Sequence, residues 1–144
     1  MSVAVVIARK EKALELCERP VWITGFDHRM ETHALGARDL TSSPSTTLAA
    51  EKAGVAEGTV DVAEIHAPFA HQEVIVRAAL GLDDSVTINP SGGPLAANPL
   101  MSAGLIRIGE AAASIASGQA KRAVAHATSG PCLQQNLVCV LEGA

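Results

Sequence analysis

Residues 98–118 read NPLMSAGLIRIGEAAASIASG, a mostly apolar run with residues typical of helix ends on both sides. Asn98 suits a helix N-cap, and Pro99 suits the first helical position. Gly118 suits the residue just past a helix end, where a left-handed backbone is common. The pattern therefore predicts a helix over residues 99–117.

The polar side chains of this helix are Arg107, Glu110, Ser114 and Ser117. Their spacing of three, four and three places them in one narrow stripe, which we expect to face solvent. The rest of the helix surface is almost wholly apolar, so we expect the helix to lie between two layers of the fold.

Two apolar segments follow, KRAVAHAT at residues 121–128 and NLVCVLE at residues 136–142. Residues 129–135 join them, and this connection is too short for a parallel crossover. The sequence therefore predicts an antiparallel pair of strands.

The remaining elements are predicted from runs of apolar residues and from Gly and Pro signals. A continuous β-branched run at residues 3–8 predicts a strand buried on both faces, and a polar stretch at 27–45 predicts a loop. We expect an α/β fold with a mixed sheet of about five strands and helices on its faces. The other predicted strands are 20–25 and 60–65, and the other helices are 9–18, 46–53 and 68–80.

Composition narrows the class of protein. The 144 residues include only three aromatic side chains, Trp22, Phe26 and Phe69, which favours one α/β domain over an aromatic-filled β-sandwich. A net charge of −4 gives no basic surface for nucleic acid. The longest apolar run is far too short to span a membrane, so we expect a cytoplasmic protein. The three cysteines form no CxxC pattern, and we expect free thiols.

Four loops carry the polar residues with chemical potential: EIHAPF at 64–69, NPSGG at 89–93, ANP at 97–99 and SGPC at 129–132. Each lies where a strand ends or a helix begins, the usual place of a site in an open α/β sheet. His66 could act as a general acid or base or donate to a developing oxyanion, or it could be a buried histidine satisfied by a carbonyl.

Other residues have both structural and functional interpretations. Asn98 could cap the helix, contribute to an oxyanion site, or do both. Cys132 could shuttle a proton or fill apolar space, and the NPSGG turn lacks the spacing of a nucleotide-binding loop. His28, Glu31 and His33 form too weak a pattern for a metal site, and His126 fits a structural role.

In this order, the four motifs resemble the C-terminal half of a thiolase, particularly of the sterol-carrier or lipid-transfer type. The resemblance implies an acyl-CoA enzyme that makes or breaks a carbon–carbon bond through a Cys-bound acyl intermediate. His66 matches the His of the family's HDCF segment, and Asn98 stands where most thiolases have the His of a Gly-His-Pro motif. Gly130 falls near the family's second catalytic Cys, which leaves Cys132 as its stand-in.

The same resemblance implies that residues 1–18 correspond to the end of an N-terminal half that would supply the nucleophilic Cys. We therefore expect a single thiolase-like C-terminal domain over residues 1–144 that contributes His66 and Asn98 to an oxyanion site. An amide cannot carry a proton near neutral pH, so replacement of the family's His is compatible with a retro-aldol cleavage.

The expected substrate is a fatty or steroid side-chain acyl-CoA, with no bound cofactor. The expected partners are the N-terminal half, further copies in an oligomer and a small accessory protein. Two other functions stay open from the sequence. One is a non-catalytic scaffold for acyl-CoA binding or dimerisation, and the other is a hydrolase that uses Cys132 with His126 or His66.

Overall fold

A computed structural model describes residues 2–143. Five helices and five strands are joined by loops and two short 3-10 turns, Leu35–Ala37 and Val55–Glu57, within these residues. In chain order the elements are α1 Lys10–Leu16, β1 Val21–Met30, α2 Pro44–Lys52, β2 Val62–Ile65, α3 Ala70–Leu80, β3 Thr87–Ile88, α4 Gly93–Ala96, α5 Ala103–Ala116, β4 Arg122–Ser129 and β5 Gln135–Gly143.

The strands form one mixed sheet in the order β1-β5-β4-β2-β3. β5 runs antiparallel to both β1 and β4, whereas β2 runs parallel to β4 and β3. Helices α2 and α3 pack against one face of the sheet, and α5 packs against the other. The predicted α/β class and mixed five-stranded sheet are confirmed, and so is the antiparallel pairing of β4 with β5.

Close contact between α2 and the sheet depends on a glycine in β1. A Cβ added at Gly25 would lie 1.8 Å from the backbone oxygen of Ala53, which directly follows α2. The pairing of β1 with β5 also shifts between Ile23 and Gly25. The missing side chain therefore lets the end of α2 approach the edge strand.

The predicted strand at residues 3–8 is wrong. These residues form no strand, and the side chains of Val6 and Ile7 are 92% and 77% exposed. A β-prone run becomes a strand only when neighbouring strands pair with it, and the sheet of this chain offers it no pairing. The sheet nevertheless has five strands, because it contains β3, which the sequence analysis did not predict.

Two other predictions need correction. The polar stretch 27–45 is not all loop, because β1 continues through Met30 in register with β5. The polar stripe of α5 does not all face solvent, since Arg107 and Ser114 are buried. Arg107 pairs with a carboxylate and Ser114 donates to the backbone oxygen of Ala111, so each polar group has a partner inside.

α5 does not lie between two layers of the described chain, contrary to prediction. One face of the helix packs on the sheet through Ala111 and Ile115, whereas Leu105 on the other side is exposed. Within residues 2–143, the structure contains no helix with the length and hydrophobicity needed to cross a membrane.

Candidate oxyanion and acid–base site

The candidate site lies at the carboxyl ends of the parallel strands. His66 directly follows β2, Asn89 directly follows β3, and Thr128 is the penultimate residue of β4. Parallel strands end at the same edge of a sheet, so the loops that follow them meet there. The predicted convergence of these loops is therefore seen for the loops that carry His66 and Asn98.

His66 is held between two oxygen atoms. Its Nδ1 lies 3.2 Å from the backbone oxygen of Thr128, and its Nε2 lies 3.0 Å from Oδ1 of Asn98. The histidine is only 6% exposed, whereas Asn98 is partly exposed. The pair therefore places a buried imidazole behind a carboxamide that reaches the surface.

The contact with Thr128 fixes the tautomer of the imidazole. A backbone oxygen can only accept, so Nδ1 of His66 must carry a hydrogen and donate it. Nε2 then carries a hydrogen only when the ring is charged, and in that state it donates to Asn98 Oδ1. In the neutral ring, a half-turn of the carboxamide lets Asn98 Nδ2 donate to Nε2 instead. Either orientation of the carboxamide therefore keeps a hydrogen bond between Asn98 and Nε2 of His66.

Asn98 is not the N-cap of α5, contrary to the sequence prediction. The chain makes a turn after Pro99, whose backbone oxygen accepts from the backbone N–H groups of Ser102 and Ala103. The helix begins at Ala103 with Ser102 at the N-cap position. The carboxamide of Asn98 therefore does not cap the helix and faces His66.

A buried ion pair lies below the site on the α5 face. Arg107 Nη1 of α5 is 2.5 Å from Glu64 Oε2 of β2, and these side chains are 5% and 1% exposed. Ser91 joins both, because its hydroxyl oxygen accepts from Arg107 at 2.9 Å and its hydroxyl donates to Glu64 Oε2 at 2.8 Å. The sequence analysis missed this cluster. The available signal was Glu64 as the one charged residue of a short apolar strand, with Arg107 on an otherwise mostly apolar helix.

The NPSGG turn is fixed to the end of β2. Asn89 Oδ1 accepts from the backbone N–H of Ile65 at 2.7 Å, and Asn89 N donates to the oxygen of Ala63 at 2.8 Å. Gly93 has a φ of +59°, and a Cβ there would lie 2.8 Å from Asn89 Cγ. The turn therefore needs glycine at this position, and it starts the short path through α4 to Asn98.

Gly130 and Cys132 lie in the loop between β4 and β5. Gly130 has a φ of +74°, and Cys132 and Leu133 are left-handed at +51° and +58°. The thiol-bearing residue is exposed, and no hydrogen bond among residues 2–143 joins it to His66. The structure thus brings His66 and Asn98 into contact but leaves Cys132 at the tip of the hairpin.

Arg38, which the sequence analysis did not single out, holds this loop. Its guanidinium donates to the backbone oxygens of Pro131 and Cys132 at 3.2 and 2.6 Å. Its Nε lies 3.2 Å from Glu31 Oε2, and the other carboxylate oxygen of Glu31 accepts from Ser45. Glu31 is therefore occupied by an ion pair, and no group of metal-binding side chains forms within residues 2–143.

His126 lies on the α2 face, fully buried. Its Nε2 is 3.0 Å from Asn136 Oδ1, and the amide nitrogen of Asn136 donates to Ser45 Oγ and Leu133 O at 2.8 and 2.7 Å. Burial lowers the pKa of His126 to about 4. Its full burial and its hydrogen bond to Asn136 agree with a structural role.

The fold is similar to that of a thiolase. Among 110 matching chains of solved structures is human mitochondrial 3-ketoacyl-CoA thiolase, with a TM-score of 0.64 and 24% sequence identity. The match covers 85% of this chain and 30% of the thiolase chain. No family model matches the chain, and no curated protein matches it. The predicted thiolase-like fold is therefore confirmed, and the chain spans less than a third of the thiolase it resembles.

Proposed function

We propose that this chain is the C-terminal part of an acyl-CoA enzyme that makes or breaks a carbon–carbon bond next to a thioester. The observation that carries the proposal is the 3.0 Å contact between His66 and Asn98 at the carboxyl edge of a thiolase-like sheet. The reaction is either acyl transfer, with the nucleophilic Cys supplied by an N-terminal half, or a retro-aldol cleavage, which needs no such Cys.

Negative charge develops on the thioester oxygen in both reactions. We assign the donor to that oxygen to Asn98, because both ring nitrogens of His66 are already engaged. The carboxamide keeps at least one N–H that His66 does not use in either charge state of the ring. Donors held in place before the reaction stabilise such charge without having to reorganise.

His66 is the acid–base group of the proposal. In a retro-aldol cleavage, the β-hydroxyl group displaces Asn98 from Nε2 and gives its proton to the ring. The Cα–Cβ electron pair becomes the enolate of the thioester, whose oxygen accepts from the released carboxamide. His66 then gives this proton to the enolate carbon. Gly130 allows the left-handed backbone with which the loop of Cys132 begins, and Cys132 enters no step of this reaction.

A fatty or steroid side-chain acyl-CoA fits the apolar residues that flank the pair. Phe69 is exposed three residues after His66, and Leu95, Leu100 and Met101 are exposed within three residues of Asn98. Such side chains can cover the acyl part of a thioester. No further cofactor enters this chemistry, and CoA is part of the substrate.

We also propose an N-terminal thiolase half as the partner, whether on the same polypeptide or on another. The exposed side chains of Val5, Val6 and Ile7, helix α1 without a buried residue and the exposed Leu105 of α5 support this proposal. An oligomer, an accessory protein and a cytoplasmic location stay predictions from the sequence.

The test is turnover by this chain co-expressed with an N-terminal thiolase half. Substrates are a 3-ketoacyl-CoA with free CoA, and a 3-hydroxyacyl-CoA without it, each with a long or steroid side chain. Asn98→Ala and Asn98→Asp both remove the N–H donors, and each is expected to lower kcat on the order of 10²- to 10³-fold. His33→Ala and Gln119→Ala change exposed residues and serve as controls.

Each outcome has a definite meaning. Loss of turnover in both Asn98 variants, with the controls unchanged, supports the proposal. Full activity of Asn98→Asp contradicts it, because aspartate keeps the shape but not the donor. If the unmodified pair binds acyl-CoA and turns over neither substrate, the non-catalytic scaffold is correct instead.

A further inference from the structure

The ion pair between Glu64 and Arg107 joins three segments that carry the site. Glu64 lies two residues before His66, Ser91 lies in the loop that leads to Asn98, and Arg107 lies on the helix that follows it. A rigid link among these three segments fixes the separation of His66 from Asn98. No backbone hydrogen bond pairs residue 66 directly with residue 98.

The cluster fixes this separation without a hydrogen bond to His66 or Asn98. Arg107 Nη1 donates to both Glu64 Oε2 and Ser91 Oγ, and the backbone N–H of Ser91 donates to Glu64 Oε1 at 3.0 Å. Both oxygens of the carboxylate are thus occupied by partners that belong to other segments.

Stability alone does not account for this arrangement. A buried ion pair loses much of its attraction to desolvation, and replacing both partners by apolar residues is often neutral or stabilising. In some proteins, buried ionic groups of this kind specify one geometry. Here the geometry specified is the hydrogen-bond distance between His66 Nε2 and Asn98.

We propose that Glu64 and Arg107, joined by Ser91, are positioning residues that hold His66 and Asn98 in contact. The inference rests on the proposed function for its effect on turnover, but not for its effect on the geometry of the pair. Displacement of reacting groups by about 1 Å can cost on the order of 10²-fold in rate.

The test uses the double variant Glu64→Leu/Arg107→Met, which leaves no unpaired buried charge. The first readout is the ¹⁵N spectrum of the His66 ring in the full chain, with the signals assigned by their loss in His66→Ala. In the unmodified chain we expect a protonated Nδ1 and a hydrogen-bonded Nε2. In the double variant we expect Nε2 to lose its hydrogen bond, while Nδ1, which Thr128 still holds, stays protonated.

The second readout is turnover of the co-expressed pair. We expect kcat to fall on the order of 10²-fold while KM stays unchanged, because the ion pair does not contact substrate. The control variant Arg77→Gln/Asp84→Asn removes an ion pair from the surface of α3 and should change neither readout.

The two readouts separate this inference from the proposed function. If the double variant changes the His66 ring signals but not turnover, the positioning role is supported and the proposed function is contradicted. Ring signals that stay as in the unmodified chain overturn the positioning role, whatever the turnover. If the double variant does not fold, Ser91→Ala replaces it, and that variant must shift the ring signals in the same direction or the inference fails.

Discussion

A buried and a partly buried arginine–glutamate pair lie on opposite faces of one sheet, and they hold different parts of the chain in place. On the α5 face, the hydrogen bonds of Arg107 within residues 2–143 go to side chains, those of Glu64 and Ser91. On the α2 face, Arg38 pairs with Glu31 and donates to two backbone oxygens of the β4–β5 loop. The first pair fixes the separation of segments, whereas the second fixes the backbone of one loop.

Burial also differs between the two pairs. Glu64 is 1% exposed and has Arg107 as its ion partner, whereas Glu31 is 16% exposed and is reached by water. The comparison teaches that the same two residue types have different energetic consequences, because the desolvation of the remaining partner sets the cost of removing one.

Removal of one charge on the α5 face is expected to have the largest effect on stability. Arg107→Met leaves Glu64 buried without its cation, and the free energy of unfolding should fall by about 3–5 kcal/mol. Urea unfolding at pH 7 measures this. The double variant Glu64→Leu/Arg107→Met should recover most of the loss, and a double variant as unstable as the single one would break the comparison.

Acid should destabilise the α2 face. Burial, as the main cause, lowers the pKa of His126 to about 4, whereas an unfolded histidine has an ordinary value of 6.5. Between these values the unfolded chain binds a proton that the folded chain does not, so stability falls as the pH falls. The expected loss from pH 6.5 to pH 4 is about 3 kcal/mol.

Urea unfolding over this range measures the loss. His126→Gln removes the titration of this residue. The slope of its unfolding free energy against pH should therefore be smaller by the equivalent of up to one bound proton. His33→Ala, which changes an exposed histidine, should keep the steep dependence. Equal slopes for the unmodified chain and His126→Gln would show that His126 does not titrate in this way.

Removal of the charge on the α2 face should cost less than on the α5 face. Arg38→Met takes donors from Pro131 and Cys132, and it leaves Glu31 with water and Ser45 as partners. We expect a loss of about 2 kcal/mol. The rate at which Cys132 is alkylated should also change, because its loop loses hydrogen bonds to Arg38. The alkylation rate of the exposed Cys17 should stay the same. A loss as large as that of Arg107→Met would remove the difference between the faces.

The smallest effects are expected at two glycines of α5. A Cβ at Gly104 would lie 2.8 Å from the Cβ of Ala127 on the sheet, so Gly104→Ala should destabilise by about 1 kcal/mol. A Cβ at Gly109 would meet Val3 at an ordinary 3.6 Å, so Gly109→Ala should stabilise by about 0.5–1 kcal/mol. Thermal unfolding compares the two, and equal signs would contradict this packing.

Local signals predicted the elements that depend on local structure. The antiparallel pair β4 and β5 follows from a connection too short for a crossover, and the ends of α3 and α5 lie next to Gly81 and Gly118 as expected. The run at residues 3–8 was predicted wrongly, because its burial needs a partner that the run itself does not encode.

Some features of the site could likewise be predicted from the sequence, and others could not. Four loops at strand ends predicted a meeting of His66 with Asn98, since parallel strands share an edge. Helical periodicity placed Arg107 in solvent, because periodicity cannot see a carboxylate on another element. Asn98 before Pro99 resembles a helix cap in sequence, and only the turn that follows shows that the helix starts later.

The central claim is that Asn98 donates a hydrogen bond to the oxygen of an acyl-CoA thioester. Isotope-edited infrared spectroscopy of a ¹³C=O-labelled thioester bound to the co-expressed pair measures this bond directly. The account predicts a lower carbonyl stretching frequency in the bound state, and a frequency near that of the free thioester in Asn98→Ala. A bound carbonyl with the same frequency in both proteins would contradict it.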